Sequence, residues 1–377
     1  MIGIAIASKG IEDVCAREIS ELINSHAEIK EGFVKFSFNK FEDLCELCFR
    51  TQSAEKVLYL LAESSFSDGN LIEKVEETIK KIDFSFLKND LHDFSIEILS
   101  QEHSVNSIVI DGSLLTKIEK IIKESVSDIK NNNPQKTMLK FLILSSKNHF
   151  YFALDFSGFD LSKRRFRTQQ KPDLLKPTIA YALVRMAHFS DCETLLEPLT
   201  SDGIISIEAG LYIEGVSPNH FVKDKFDFLY LRFLSGVNFD KVFLSGQNKK
   251  SEYKIYCYDK LLKNVFIVKK NAVAAGIGKK LHSSRVDLEW IDLKFKEKSV
   301  DKIVAEIPYD KISSSKTCRN FFNSASMVLA KKGRIVLAVQ NKKEIIESAE
   351  KYGFVCVAEK EIFDGRKRFY ALVIERK

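Results

Sequence analysis

The spacing of apolar residues divides the chain into short alternating elements. Residues 2–7 form an apolar run that ends in the turn Ser8-Lys9-Gly10. Ile11, Val14, Cys15, Ile19, Leu22 and Ile23 then recur at helical spacing, behind an acidic first turn at Glu12 and Asp13 that suits a helix N-terminus. Residues 32–38 alternate as a half-buried strand, and residues 41–61 read as a second helix. A stretch rich in Ser, Asp, Gly and Asn at 64–70 marks a boundary. Beyond it the pattern predicts a helix over 71–82, a strand over 94–99, a helix over 112–129 and hairpin arms at 139–144 and 150–156. The expected units are a strand–helix–strand–helix domain over 1–65 and a small α+β domain over 66–160.

From residue 177 the rhythm changes. Helices predicted at 177–187, 204–213, 261–275, 318–329 and 342–352 interleave with strands at 194–199, 253–258, 300–305 and 334–339. Residues 354–363 and 368–374 read as paired strands. Such alternation over about 200 residues predicts a doubly wound α/β domain at 177–377 with an antiparallel strand or pair at its end. Ligands bind at the carboxyl ends of the strands in such sheets. A basic linker, 161–176, joins the two halves.

Composition narrows the function classes. Of 377 residues, 45% are hydrophobic and 29% charged, a balance that excludes a disordered or collagen-like chain. No run reaches the roughly 18 apolar residues of a membrane span, so no membrane partner is expected. Seven cysteines, an odd number with no secretion signal, are expected to be reduced thiols of a cytoplasmic protein. Cys45-x-x-Cys48 has no second pair and no nearby His, so no metal site is expected. The net charge of +6 permits a polyanionic partner without requiring one.

The candidate chemistry sits at the strand ends. Glu197 closes a strand ahead of the small-residue turn Thr200-Ser201-Asp202-Gly203, and Gly203 lets backbone approach a ligand at a helix N-terminus. Glu197 could meet a ligand ammonium; equally, the segment reads as an ordinary capped turn. Asp259 ends the next strand, where an acid can hold ribose hydroxyls or cap the following helix. Asp287 can receive an adenine amino group or serve as a loop acid. Glu306, Ile307, Pro308 and Tyr309 follow another strand: the carboxylate can accept from an amino group and the tyrosine can stack on a base, or the segment is an ordinary strand end with a surface Glu and a half-buried Tyr. Lys163, Arg164, Arg165 and Arg167, interleaved with Phe159 and Phe166, suit phosphate contact or a solvated linker.

Taken in order, these segments resemble the THUMP-containing RNA methyltransferases that use S-adenosylmethionine to methylate guanine N2 in tRNA or ribosomal RNA. The resemblance covers nearly the whole chain. SKGIEDVCAREI and LCFRTQSAEKVLYLLAE look like the family's ferredoxin-like N-terminal domain, and residues 66–160 like its RNA-binding THUMP module. DFSGFDLSKRRFRT resembles the stretch leading into the Rossmann-fold methyltransferase domain. In the family's glycine-rich turn, Glu197, Thr200, Ser201, Asp202 and Ile204 stand where Asp, Cys, Gly, Ser and Thr are usual. Glu306 and Ile307 stand for the Asn/Asp and first Pro of Asn/Asp-Pro-Pro-Tyr, with Pro308 and Tyr309 matching.

The resemblance implies an enzyme that binds S-adenosylmethionine through Glu197, Ser201, Gly203, Asp259 and Asp287. It implies a flipped-out base held by Glu306, Pro308 and Tyr309, and RNA phosphates met by Lys163, Arg164, Arg165 and Arg167. The expected partner is RNA, tRNA in particular, rather than DNA, and the expected state is a monomer. A second reading stays open from sequence: an RNA-binding protein that keeps the fold without the reaction.

Overall fold

The computed structural model describes residues 1–67, 71–88, 90, 93–100, 112–124, 138–146, 148–168, 174–245, 251–307, 314–365 and 367–377. The N-terminal half contains β1 (Ile2–Ile6), α1 (Glu12–Ile23), β2 (Ala27–Lys30), β3 (Phe33–Ser37), α2 (Phe41–Arg50), β4 (Lys56–Ser65), α3 (Leu71–Ile79), β5 (Asp93–Ser100), α4 (Gly112–Glu124), β6 (Met138–Ser146) and β7 (His149–Asp155). Its strands form one mixed sheet in the order β2-β3-β1-β4-β7-β6-β5. The C-terminal half contains α5 (Pro177–Met186), β8 (Thr194–Glu197), α6 (Ile204–Glu214), α7 (Phe239–Leu244), β9 (Lys254–Asp259), α8 (Leu262–Ala274) and β10 (Leu281–Arg285). It continues with β11 (Val300–Glu306), α9 (Ser314–Val328), β12 (Leu329–Val339), α10 (Lys342–Lys351), β13 (Phe354–Asp364) and β14 (Lys367–Arg376). The second sheet runs β10-β9-β8-β11-β12-β14-β13.

The first half departs from the sequence reading at one place of consequence. Residues 41–61 are not a single helix. α2 ends at Arg50 because the buried Glu18 carboxylate takes the next donors: Thr51 Oγ1 (2.7 Å), Gln52 N (2.8 Å) and Ser53 N (3.0 Å). The chain then turns into β4, an apolar run whose periodicity fits a buried strand as well as a helix. β4 pairs antiparallel with β1 on one side (Leu58 opposite Ile4) and β7 on the other (Leu58 opposite Asp155). Through it the units expected at 1–65 and 66–160 share one sheet. The hairpin expected at 139–156 is β6–β7, with Phe141 opposite Leu154.

The second half follows the expected plan. β10, β9, β8, β11 and β12 are parallel, and β14 and β13 close the sheet antiparallel. β10 escaped the hydrophobic pattern because Leu-His-Ser-Ser-Arg is a polar edge strand. The middle strands are apolar, as strands covered on both faces must be.

One continuous apolar core runs from α1 and α2 through α5 and α6, so the halves pack helix to helix. Ions are buried in the same contact. Arg164 Nε and Nη2 donate to Glu208 of α6 at 2.8 and 3.1 Å, and Nη2 also reaches the Gln52 carbonyl at 2.8 Å. Gln52 Nε2 in turn donates to Glu208 Oε2 at 2.7 Å. Arg164 is therefore not a surface phosphate contact, as its place in a basic run suggested: it is 2% exposed and satisfied inside the protein. Removing one member of such a buried pair costs about 3–5 kcal/mol, because the partner charge is left uncompensated. No described helix is long and apolar enough to cross a membrane.

Candidate active site

Four neighbouring strands deliver their carboxyl ends to one side of the second sheet. Between them opens a cavity of about 570 Å³, within the range of small-molecule sites. Ser201 after β8, Asp259 at the end of β9, Asp287 after β10 and Glu306 at the end of β11 all line it. The sequence reading placed these four at one site, and the fold brings them together.

The glycine-rich turn owes its shape to two left-handed residues. Gly203 has φ +81°, and a Cβ there would stand 2.9 Å from Val268 of α8, so the turn lies tight against that helix. Ser201 adopts φ +48°, a conformation that costs a non-glycine residue about 1 kcal/mol or more. Asp259 compensates. Its carboxylate accepts from Ser201 N (3.1 Å), Leu261 N (2.8 Å) and Asn264 Nδ2 (3.0 Å), tying the turns after β8 and β9 together. Asp202 turns away from the cavity and pairs with Arg167 Nε at 2.5 Å, while Asn271 Nδ2 donates to the Asp202 carbonyl at 3.0 Å. Thr168 holds Asn271 from the other side. The linker is thus latched onto the turn, and Arg167 serves the turn rather than the surface. Lys163 and Arg165 remain exposed.

Two expected residues behave differently from their sequence reading. Glu197 does not face the cavity. It is buried and accepts from Ser206 N (3.0 Å) and Oγ (2.5 Å), in the first turn of α6. Burial pushes its carboxyl up to about 8, against the downward pull of those bonds. Gly203 shapes the turn without lining the cavity. Pro308 and Tyr309 lie outside the described residues. Glu306 is half-buried at the cavity wall. Burial, and then the Asp202 charge, push its carboxyl up to about 7, while Lys367 and Arg167 pull it down. Sequence reasoning did not single out Asn264, Lys316, Thr317 or Asn320, which also line the cavity. Asn264 could have been found as the position one turn into the helix that Asp259 precedes.

A parallel sheet of this order, with an antiparallel pair at one edge and a nucleoside-sized cavity over its strand ends, defines a Rossmann-like methyltransferase fold. The RMKL-like methyltransferase domain family (UPF0020) matches residues 164–368, and the chain belongs to that family. Among curated proteins it is 24% identical to the tRNA (guanine(6)-N2)-methyltransferase of Methanocaldococcus jannaschii, over 92% of each chain. Among solved structures it shares its fold with TrmN from Thermus thermophilus, at a TM-score of 0.73 and 18% identity over 100% of this chain and 99% of that one. The structure of SMU.472 complexed with SAH matches at a TM-score of 0.80 and 17% identity, over 100% and 98%.

Proposed function

We propose that this chain is an S-adenosylmethionine-dependent RNA methyltransferase that modifies guanine N2 in tRNA. The observation that carries the reading is the cavity itself: three carboxylates on successive strand ends around about 570 Å³, in a methyltransferase-family chain. The donor set suits the cofactor. Asp259 offers acceptors for ribose hydroxyls, Asp287 an acceptor for the adenine amino group, and the turn at Ser201, which Gly203 shapes, a backbone wall. Glu197, already bound to Ser206, supports that turn from behind. When bound, S-adenosylmethionine supplies a methyl group activated on sulfonium.

The chain's own residues arrange the acceptor. Ionised Glu306 accepts an N–H from the guanine amino group, turning its lone pair toward the cofactor side of the cavity. Pro308 and Tyr309 keep the base-holding role that the family resemblance implies. The transfer releases a proton from the methylated nitrogen, and a carboxylate with a pKa near 7 can take it up. Residues 66–160, whose sequence resembles THUMP, supply RNA affinity together with Lys163 and Arg165, and the protein acts as a cytoplasmic monomer. The open cavity favours this enzyme over a reactionless scaffold. Transfer of label from S-adenosylmethionine into a tRNA pool, followed by nucleoside mass spectrometry, tests the reading. N2-methylguanosine is expected; absence of any methylated nucleoside overturns it.

A further inference from the structure

Helix α8 carries a surface that the site above does not use. Between Lys260 and Val286 the sequence holds six lysines and one arginine but no Asp or Glu. Lys263, Lys269, Lys270 and Lys279 are exposed, and no ion pair engages them among the described residues. Lys280 alone reaches an acid, Glu214, at 3.4 Å. Among these cations stand exposed apolar side chains: Leu262 (50%), Phe266 (60%) and Val273 (69%). Positions 262, 266, 269, 270 and 273 share one helical face, so Phe266 has Lys263 three residues before it and Lys269 and Lys270 three and four after. Phe221, 65% exposed, extends the stripe where it lies against Gly276 at the helix C-terminus.

A soluble surface rarely gathers unpaired cations around an unpartnered aromatic ring. A surface built to stay solvated would alternate charge signs, and an apolar interface between copies would exclude so many like charges. An RNA strand fits both features: its phosphates answer the lysines, and a base face answers Phe266. The location agrees. Lys260, Leu261 and Asn264, at the start of α8, line the cavity mouth. The helix runs about 20 Å away from it, set by thirteen residues at 1.5 Å each.

We propose that the exposed face of α8 is an RNA-docking track leading into the active site, with Phe266 as a base-stacking platform and Lys263, Lys269 and Lys270 as phosphate contacts. The inference rests on the RNA-modifying reading above and adds a second RNA surface to the N-terminal sheet and the linker.

The test measures binding of an unfractionated tRNA pool to the full chain at several salt concentrations, with S-adenosylmethionine affinity recorded by calorimetry for each variant. The triple variant Lys263→Glu, Lys269→Glu, Lys270→Glu should bind tRNA about tenfold or more weakly, and its log–log salt slope should fall by about 2 to 3. Phe266→Ala should lose about fivefold or more while keeping the wild-type slope. Cofactor affinity should be unchanged in both. Wild-type affinity and slope in the variants, with the parent chain binding tRNA, would overturn the track and leave the enzymatic reading intact. A parent chain that binds no tRNA overturns both. A dimer seen by sedimentation that Phe266→Ala dissolves, with tRNA binding unaltered, assigns the face to a second copy instead.

Discussion

Glu197 and Glu306 close neighbouring strands of the same sheet, each behind an apolar run. Burial raises both carboxyls, to about 8 and about 7. Their surroundings then diverge. After the turn at 198–203 the chain winds into α6, and Ser206 returns two donors to the carboxylate. Among the described residues no such clasp reaches Glu306, which lines the cavity. Position at a strand end therefore does not decide whether an acid is enclosed by the fold or faces the cavity. Donors from the following segment do not decide it alone either, since Asp259 accepts from Leu261 N and Asn264 Nδ2 and still lines the cavity.

Four experiments sharpen or break that contrast. The largest effect is expected at Glu306: replacement by Ala should lower kcat/KM for tRNA methylation by about a hundredfold to a thousandfold, as loss of one preorganised polar partner does, and leave cofactor affinity intact. A variant as active as the parent would place Glu306 with the structural acids. Second, wild-type kcat/KM should rise as pH passes through about 7, because the ionised carboxylate is the working form. Arg167→Gln removes a cation that pulls the Glu306 carboxyl down and frees the Asp202 charge that pushes it up, so this acid limb should move to higher pH.

Third, Glu197→Gln should change cofactor affinity by no more than about threefold, the size seen for residues that touch no ligand. Its signature is in stability. The folded carboxyl is raised from 4.5 to about 8, so its contribution is present in full below the ordinary carboxylate range and is lost as pH climbs toward about 8. Denaturation midpoints of the parent should fall over that window and those of the variant should stay flatter. A large loss of cofactor binding would instead make Glu197 a ligand residue. The smallest effect is at Ser201, in the turn that follows Glu197. Ser201→Gly relieves a left-handed serine but adds chain entropy, for a net stabilisation under about 1 kcal/mol by thermal denaturation.

What the sequence made legible follows from the same physics. The strand ends of the second half were readable because buried parallel strands are apolar throughout and the helices between them keep a clear period. Asp259 and Glu306 were singled out by that rule, whereas Asp287, which follows the unread strand β10, was singled out as a loop acid and by the family resemblance. Residues 41–61 were misread because the Glu18 carboxylate that ends α2 is remote in sequence, and local periodicity carries no trace of it. Strands β2 and β10 were missed because each lies at a sheet edge with too few apolar residues to signal. Arg164 and Arg167 sat in a basic run that looked solvated. Their partners, Glu208 and Asp202, lie 44 and 35 residues away, and only the fold reveals the pairing.

The Gln52–Glu208–Arg164 junction also limits how this architecture can be recombined. α6 carries the glycine-rich turn at one end and Glu208 within it, so the turn at the cavity and the segment between α2 and β4 are anchored to the same rod. A chimera that exchanged residues 1–160 with a relative lacking a Gln52 equivalent would take one donor from the buried Glu208 carboxylate, leaving Arg164 as its partner, and loosen the tie between α6 and the N-terminal half. Specificity and catalysis are therefore expected to travel together as one inherited unit.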